Sequence, residues 1–282
     1  MQPTTSILVL QSSHPSSLQM YSPSSSTLVS ELEVSPSNRV SRRDDKPIIP
    51  SQVERVAISS CGLWMATIDR READIGFRPD VYLKIWSWSS KDENWILNTR
   101  VDRPHGTAKI TDLCYNPVGK KYGLAVLVST GEDGQIKVWE LRKPSGLETG
   151  QSSNFSLLKY THAYHTLEIW ACQATLSFRS EIPRAVSWAP DSSLFAVSVG
   201  SHVAIYDPVT ASLRQTLTAP YNQTMCSAHF VGPLGRYVVA SAQSSIILWD
   251  LIDSQGMSFH IMVVFSDDML FSSLAICHTA SD

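Results

Sequence analysis

A histidine, a carboxylate, two hydroxyls and an indole stand at chemically useful spacing near the middle of the chain. Arg103-Pro104-His105-Gly106 is followed by Ser129-Thr130, then Asp133-Gly134, then Trp139-Glu140. Two chemistries fit these residue types. His105 and Asp133 form a catalytic dyad in one of them, yet no G-x-S-x-G nucleophile elbow or oxyanion motif accompanies them. In the other, His105, Asp133, Trp139 and either Ser129 or Thr130 satisfy one another inside the protein. Burying an indole N–H, an imidazole or a carboxylate without a partner costs about 1–3 kcal/mol each, so such groups come as a set. The structural set is the preferred reading. Asp80 precedes Trp86 by the same six residues that separate Asp133 from Trp139, which assigns Asp80 and Trp86 to a similar network. Gly200 and Gln243 fill that position later in the chain, where no such set is expected.

Other candidates for chemistry are weaker. His162-Ala163-Tyr164-His165 has H-x-x-H spacing but lacks Glu or Cys at ligand spacing, so a loop is expected and no metal. Gly131-Glu132-Asp133-Gly134 reads as a turn, because no Gly-Lys-Ser/Thr follows it as in a phosphate loop. No cofactor and no small-molecule substrate is expected. Basic residues cluster at Arg39, Arg42, Arg43, Lys46 and Arg55, with pairs at Arg70-Arg71 and Lys120-Lys121. These are the candidate contacts for RNA phosphates or an acidic partner surface. Ser41-Arg42-Arg43 also has the character of a short nuclear-import element.

Composition narrows the classes. Of 282 residues, 43% are hydrophobic and 17% charged, enough apolar matter for a core. Lys and Arg number 23 against 26 Asp and Glu, so any RNA contact must come from local patches. The five cysteines are scattered without a C-x-x-C pair, which argues against a disulfide scaffold and suits a reducing compartment. No apolar run is long enough to span a membrane and the N-terminus has no secretory pattern, so no membrane association is expected.

The elements that must hold these residues form a repeat. Leu83-Lys84-Ile85-Trp86, Ile136-Lys137-Val138-Trp139, Val203-Ala204-Ile205-Tyr206 and Ile246-Ile247-Leu248-Trp249 share one grammar: an apolar, partly β-branched run ending in a large aromatic. Such runs read as strands. Two further strand-like runs precede each, split by turns such as Asn116-Pro117-Val118-Gly119 and Gly232-Pro233-Leu234-Gly235, and a fourth follows. Four short strands per repeat, with the last interval of 43 residues close to a blade period of about 40–45, describe an all-β propeller. Leu18 to Leu32 parallels Val203 to Thr216, with Tyr21 where Tyr206 stands, so the chain opens partway through a blade.

The expected organisation is a partial blade over 1–33, a polar and basic connecting loop over 34–52, four blades over 53–252 with an inserted loop at 142–166, and a divergent tail over 253–282. About four full blades plus part of one make an open arc. The aromatic-ended runs are expected to be inner strands of these sheets.

Trp95 to His105 followed by Ile110 to Tyr115, together with Ser60 to Arg71, Pro183 to Leu217 and Cys226 to Leu251, resembles the WD repeat-containing protein seventy-five family of the t-UTP (UtpA) subcomplex of the small-subunit processome. The resemblance covers roughly residues 5 to 252. It implies a nucleolar, non-enzymatic WD-repeat scaffold that supports pre-rRNA transcription and processing. Partners implied are other processome WD-repeat subunits, with pre-rRNA or snoRNA contact. A generic WD-repeat adaptor of another multiprotein complex is the alternative, and a propeller enzyme ranks last.

Overall fold

The computed structural model describes residues 1–36, 49–73, 78–117, 125–142, 168–219, 222–243 and 245–252, and the backbone of 258–261. No helix occurs among them, so none is long and apolar enough to cross a membrane. The strands form five antiparallel sheets in chain order. The first holds β1 (Leu8–Gln11), β2 (Ser17–Ser22) and β3 (Thr27–Glu33). The second holds β4 (Gln52–Ile58), β5 (Trp64–Arg71), β6 (Asp80–Ser89) and β7 (Asn94–Asp102). The third holds β8 (Ile110–Tyr115), β9 (Val126–Gly131), β10 (Gln135–Arg142) and β11 (Ile169–Ser177). The fourth holds β12 (Pro183–Trp188), β13 (Phe195–Val199), β14 (His202–Asp207) and β15 (Ser212–Thr218). The fifth holds β16 (Met225–Val231), β17 (Tyr237–Ala242), β18 (Ile246–Asp250) and β19 (Ser258–Ile261). β19 lies inside the segment read as divergent tail, and pairs with β18 as the outer strand of its sheet.

The second to fifth sheets each run through four strands from inside out, and their first strands β4, β8, β12 and β16 stand side by side. The aromatic-ended runs are the third strands, flanked by neighbours on both edges, as the two strand-like runs before each and the one after it predict. The burial shows what this position demands. Third strands of the second to fourth sheets have neighbours on both faces, and both side-chain parities are largely apolar, with Lys84 and Lys137 as exceptions. Leu83 and Ile85 face the third sheet, whereas Trp86 packs with Leu18 and Met20 of the first. Ile136 and Val138 likewise face the fourth sheet, while Trp139 packs against Ile68 and Leu83 of the second. Tyr206 and Trp249 each pack back on the preceding sheet in the same way. An apolar run without polar alternation is what a sheet sandwiched between two sheets requires.

The pairing register repeats with the same irregularities. The third and fourth strands slip at Met20/Tyr21, Ile85/Trp86, Val138/Trp139 and Ile205/Tyr206, always beside the aromatic. A β-bulge at one fixed place in four sheets re-aims one side chain and raises the local twist. It also sets Tyr21 in register with Tyr206. Each of the four hydrophobic clusters lies between consecutive sheets, and none joins the fifth to the first. The described residues form an open propeller arc.

Candidate functional site

Propeller topology gives the arc two ends. Loops joining second to third strands, and loops joining one sheet to the next, share one end; the other turns share the opposite end. His105 sits in the loop from β7 to β8 and Asp133 in the turn from β9 to β10, so both lie at the first of these ends. His105 Nδ1 is 2.9 Å and 3.1 Å from the two carboxylate oxygens of Asp133, and its Nε2 is 2.9 Å from Ser129 Oγ. Trp139 Nε1 donates to the same Ser129 Oγ at 2.9 Å. The proton order follows from these contacts. Ser129 accepts from the indole, so its own hydrogen goes to Nε2, and Nδ1–H donates to Asp133. That requires a neutral imidazole. Burial pushes the His105 pKa below its ordinary 6.5 although Asp133 pulls it upward.

Asp133, His105 and Ser129 stand in the order of a hydrolytic triad, but the arrangement cannot work as one. Ser129 is fully buried, and its oxygen is engaged by a tryptophan N–H where an acyl carbon would have to approach. The network instead fastens the inter-sheet loop to the third sheet. Thr130, the other hydroxyl considered, pairs with Thr111 Oγ1 at 2.8 Å and stays outside it. Gly131, missed in the sequence, is where the ring comes closest. A Cβ there would lie 2.6 Å from His105 Nδ1 and 2.8 Å from Asp133 Oδ1.

The second sheet is built differently from the expected copy. Trp86 Nε1 donates to Thr67 Oγ1 at 3.0 Å, with no imidazole beyond it. Asp80 does not join Trp86. It opens β6 directly across from Arg71, whose guanidinium it binds, and lies 3.7 Å from Arg103. The chain between the first and second sheets contains no histidine to bridge indole and carboxylate, so the arginines take the acid.

A second buried polar group was not foreseen. Lys84 occupies the middle of β6 on the face of Trp86, turned toward the first sheet. Its Nζ donates to the Val34 carbonyl at 2.6 Å and touches Asp69 Oδ1 at 2.8 Å. Asp69 is 0% exposed and accepts from Ser51 Oγ at 3.2 Å. Burial raises the Asp69 pKa even against the pull of Lys84. One ion pair thus holds both ends of the connection between the first two sheets: its exit at Val34 and its return at Ser51. A charged residue within an otherwise apolar run, Leu83-Lys84-Ile85-Trp86, was the available signal, with Asp69 as the only acid in the preceding strand.

Among the candidate contacts, Arg70 and Arg71 lie at the end of the arc that carries His105, each partly buried, with Glu72 and Asp80 as respective partners. Arg39, Arg42, Arg43 and Lys46 fall outside the described residues, but the chain that bears them leaves at Pro36 and returns at Ile49 on that same end. Lys120 and Lys121 are also outside the described residues. His162 and His165 are outside them too. Arg55 is committed to the Thr111 carbonyl, through Nε at 3.2 Å and Nη2 at 3.1 Å. No cluster of three or more metal-ligating side chains occurs among the described residues.

Comparison with known proteins bears on what such an arc belongs to. WD repeat-containing protein 75 of Xenopus laevis is 27% identical over 203 residues, 70% of this chain and 22% of that protein. The Homo sapiens protein of the same name is 26% identical over 253 residues, 89% of this chain and 28% of the relative. U3 small nucleolar RNA-associated protein 17 of Schizosaccharomyces pombe is 24% identical over 268 residues, 89% of this chain and 31% of the relative. The chain spans between about a fifth and a third of the length of these relatives. The family model for the WD repeat-containing protein 75 second beta-propeller matches residues 1–281. With its repeated register, third-strand aromatics and open arc of sheets, the chain belongs to that second-propeller family.

Proposed function

We propose that the chain is a non-enzymatic WD-repeat scaffold of ribosome biogenesis, acting in the nucleolus within the small-subunit processome and supporting pre-rRNA transcription and processing. The observation that carries this reading is the family match across residues 1–281, together with a relative whose name associates it with U3 small nucleolar RNA. The geometry is compatible with it. Rigid sheets present loops at two ends, and buried polar groups are spent on fixing loops rather than on a reacting centre. The end bearing Arg70, Arg71 and the roots of the basic connection is the proposed contact face for pre-rRNA, snoRNA or an acidic surface of another processome subunit. Lys120 and Lys121 are proposed as a further contact of the same kind. An affinity-tagged chain expressed in cells of its source should concentrate in nucleoli and recover U3 RNA, pre-rRNA and other WD-repeat subunits. A cytoplasmic distribution without these RNAs would overturn this reading and favour an adaptor of another complex.

A further inference from the structure

Where the first and second sheets meet, at the end of the arc that carries Arg70 and Arg71, a cleft of about 230 Å³ opens. We propose that this cleft is a preformed site for one nucleotide of a single-stranded RNA, an inference that rests on the ribosome-biogenesis reading above and names a ligand class for its contact face. Its walls combine the three kinds of surface a nucleotide presents. Pro36, Ile49 and the Tyr82 side chain give apolar surface for the faces of a base. His14 and Arg71 give nitrogen donors. The His14 ring is held in place, because its Nδ1 accepts from Ser16 N at 3.3 Å and lies 2.8 Å from Ser16 Oγ. With Nδ1 accepting, Nε2 carries the hydrogen and is a donor with no partner among the described residues.

Arg71 and Arg103 share the single carboxylate of Asp80, which leaves an excess of one positive charge beside the cleft. Arg100, paired with Asp102 at 2.8 Å, lies 4.3 Å from the Tyr82 ring centroid, and Lys84, paired with Asp69, approaches that ring at 5.4 Å. Aromatic surface interleaved with guanidinium groups is the usual platform for unpaired bases and their phosphates. The site is also rigid. Both chain segments that form its rim, at Val34–Pro36 and Ile49–Ser51, are fastened to the Lys84–Asp69 pair through Val34 O and Ser51 Oγ. Lys84 and Asp69 are therefore positioning residues for the cleft: they fix its walls from beneath.

The test uses the 282-residue chain and a fluorescein-labelled oligouridylate carrying 4-thiouridine. Ultraviolet crosslinking followed by peptide mapping should place adducts on the peptides containing Tyr82 or His14. Ile49→Glu and His14→Ala, both at exposed positions, should each weaken binding at least about fivefold, the scale of one lost base or phosphate contact. The paired replacement Lys84→Met/Asp69→Leu should keep the urea midpoint yet weaken binding similarly, because only the fixing of the rim is lost. Crosslinks confined to residues 37–48, with affinity unchanged in Ile49→Glu, would overturn the cleft while leaving the ribosome-biogenesis reading intact. Unchanged RNA affinity with loss of a co-purifying protein subunit in Ile49→Glu would make the cleft a protein pocket and equally overturn it. Failure of the tagged chain to recover U3 RNA or pre-rRNA in cells would remove the broader reading as well.

Discussion

Replacing Ser129 by alanine removes one oxygen and strands two buried groups. The indole N–H of Trp139, 4% exposed, loses its acceptor, and Nε2 of His105, 2% exposed, loses its donor. Neither is open to water as a substitute. An unsatisfied buried polar group costs about 1–3 kcal/mol, so the pair puts the loss for Ser129→Ala at about 2–6 kcal/mol. Ser198 supplies the comparison. It occupies the second strand of the fourth sheet, is equally buried, and bonds only to backbone atoms of Ala185, at 3.1 Å and 3.4 Å. Ser198→Ala should cost about 1 kcal/mol, since no side-chain chain depends on it.

Urea unfolding followed by circular dichroism measures both, and a double-mutant cycle with Trp139→Phe isolates the shared bond. Phenylalanine deletes the N–H that Ser129 serves, so the two changes together should cost less than their sum by about 1 kcal/mol. A loss below about 0.5 kcal/mol for Ser129→Ala, the range of an indifferent surface change, would refute the network reasoning. So would a strictly additive cycle, which would mean that the indole does not depend on Ser129.

Gly131→Ala puts a methyl where the imidazole already stands, and should destabilise by about 1–3 kcal/mol or displace His105, seen as a lower urea midpoint. Lowering pH from 7.5 to 5.5 should lower that midpoint. The folded state holds His105 and His229 below the ordinary 6.5 by burial, so the unfolded chain takes up protons first and stability is lost as pH falls through 6.5; His229→Gln should remove only part of the slope, and a flat profile would contradict the neutral imidazole. Lys84→Met alone should cost about 3–5 kcal/mol by leaving Asp69 buried without its cation, whereas Lys84→Met with Asp69→Leu should be close to neutral, as measured by the same urea titration.

The propeller was legible because its strands are sandwiched. A packed third strand writes a largely apolar run, and four such runs, interrupted only by Lys84 and Lys137 and ending in Trp86, Trp139, Tyr206 and Trp249, announce themselves at any spacing. Their rank within the sheet was legible too, since two strand-like runs precede each aromatic and one follows it; periodicity along one strand leaves open only which edge of the sheet lies toward the axis. The short outer strand Ser258–Ile261 escaped for a related reason. An outer strand is held mainly by main-chain bonds to one neighbour, and those bonds leave little mark in side-chain type. At the site, residue types located His105, Asp133, Ser129 and Trp139 because each has few ways to be satisfied when buried. Asp80 misled because an acid at the same offset from Trp86 meets arginines instead of an imidazole. Lys84 and Asp69 went unseen because the partners that make their burial tolerable, Val34 O and Ser51, come from the preceding connection and converge only in three dimensions.

The placement of these polar groups is itself an argument about where the molecule works. The position two residues before the aromatic is Lys84 in the second sheet and a partly exposed Lys137 in the third, but Ala204 in the fourth and Ile247 in the fifth, both fully buried. An apolar side chain therefore suits that position, and replacing a buried ion pair by apolar groups is often neutral or stabilising. Packing alone does not call for Lys84. What the lysine adds is directional: it reaches a carbonyl of the connection leaving the first sheet, and its carboxylate partner holds the returning end. The His105 network does the same for the next connection, from the second sheet to the third. Polar groups are thus set into the core at two successive seams, and both fix loops at one end of the arc, the end that holds Arg70 and Arg71. The connections to the fourth and fifth sheets have side-chain contacts of their own, Arg179 with His202 at 3.2 Å, Ser201 with Asn222 at 3.0 Å and Ser245 with Gln223, but these lie nearer the surface than the buried Lys84 and His105. Deeply buried anchors at two adjacent seams are the pattern expected of a rigid contact face, and they locate that face around the second sheet.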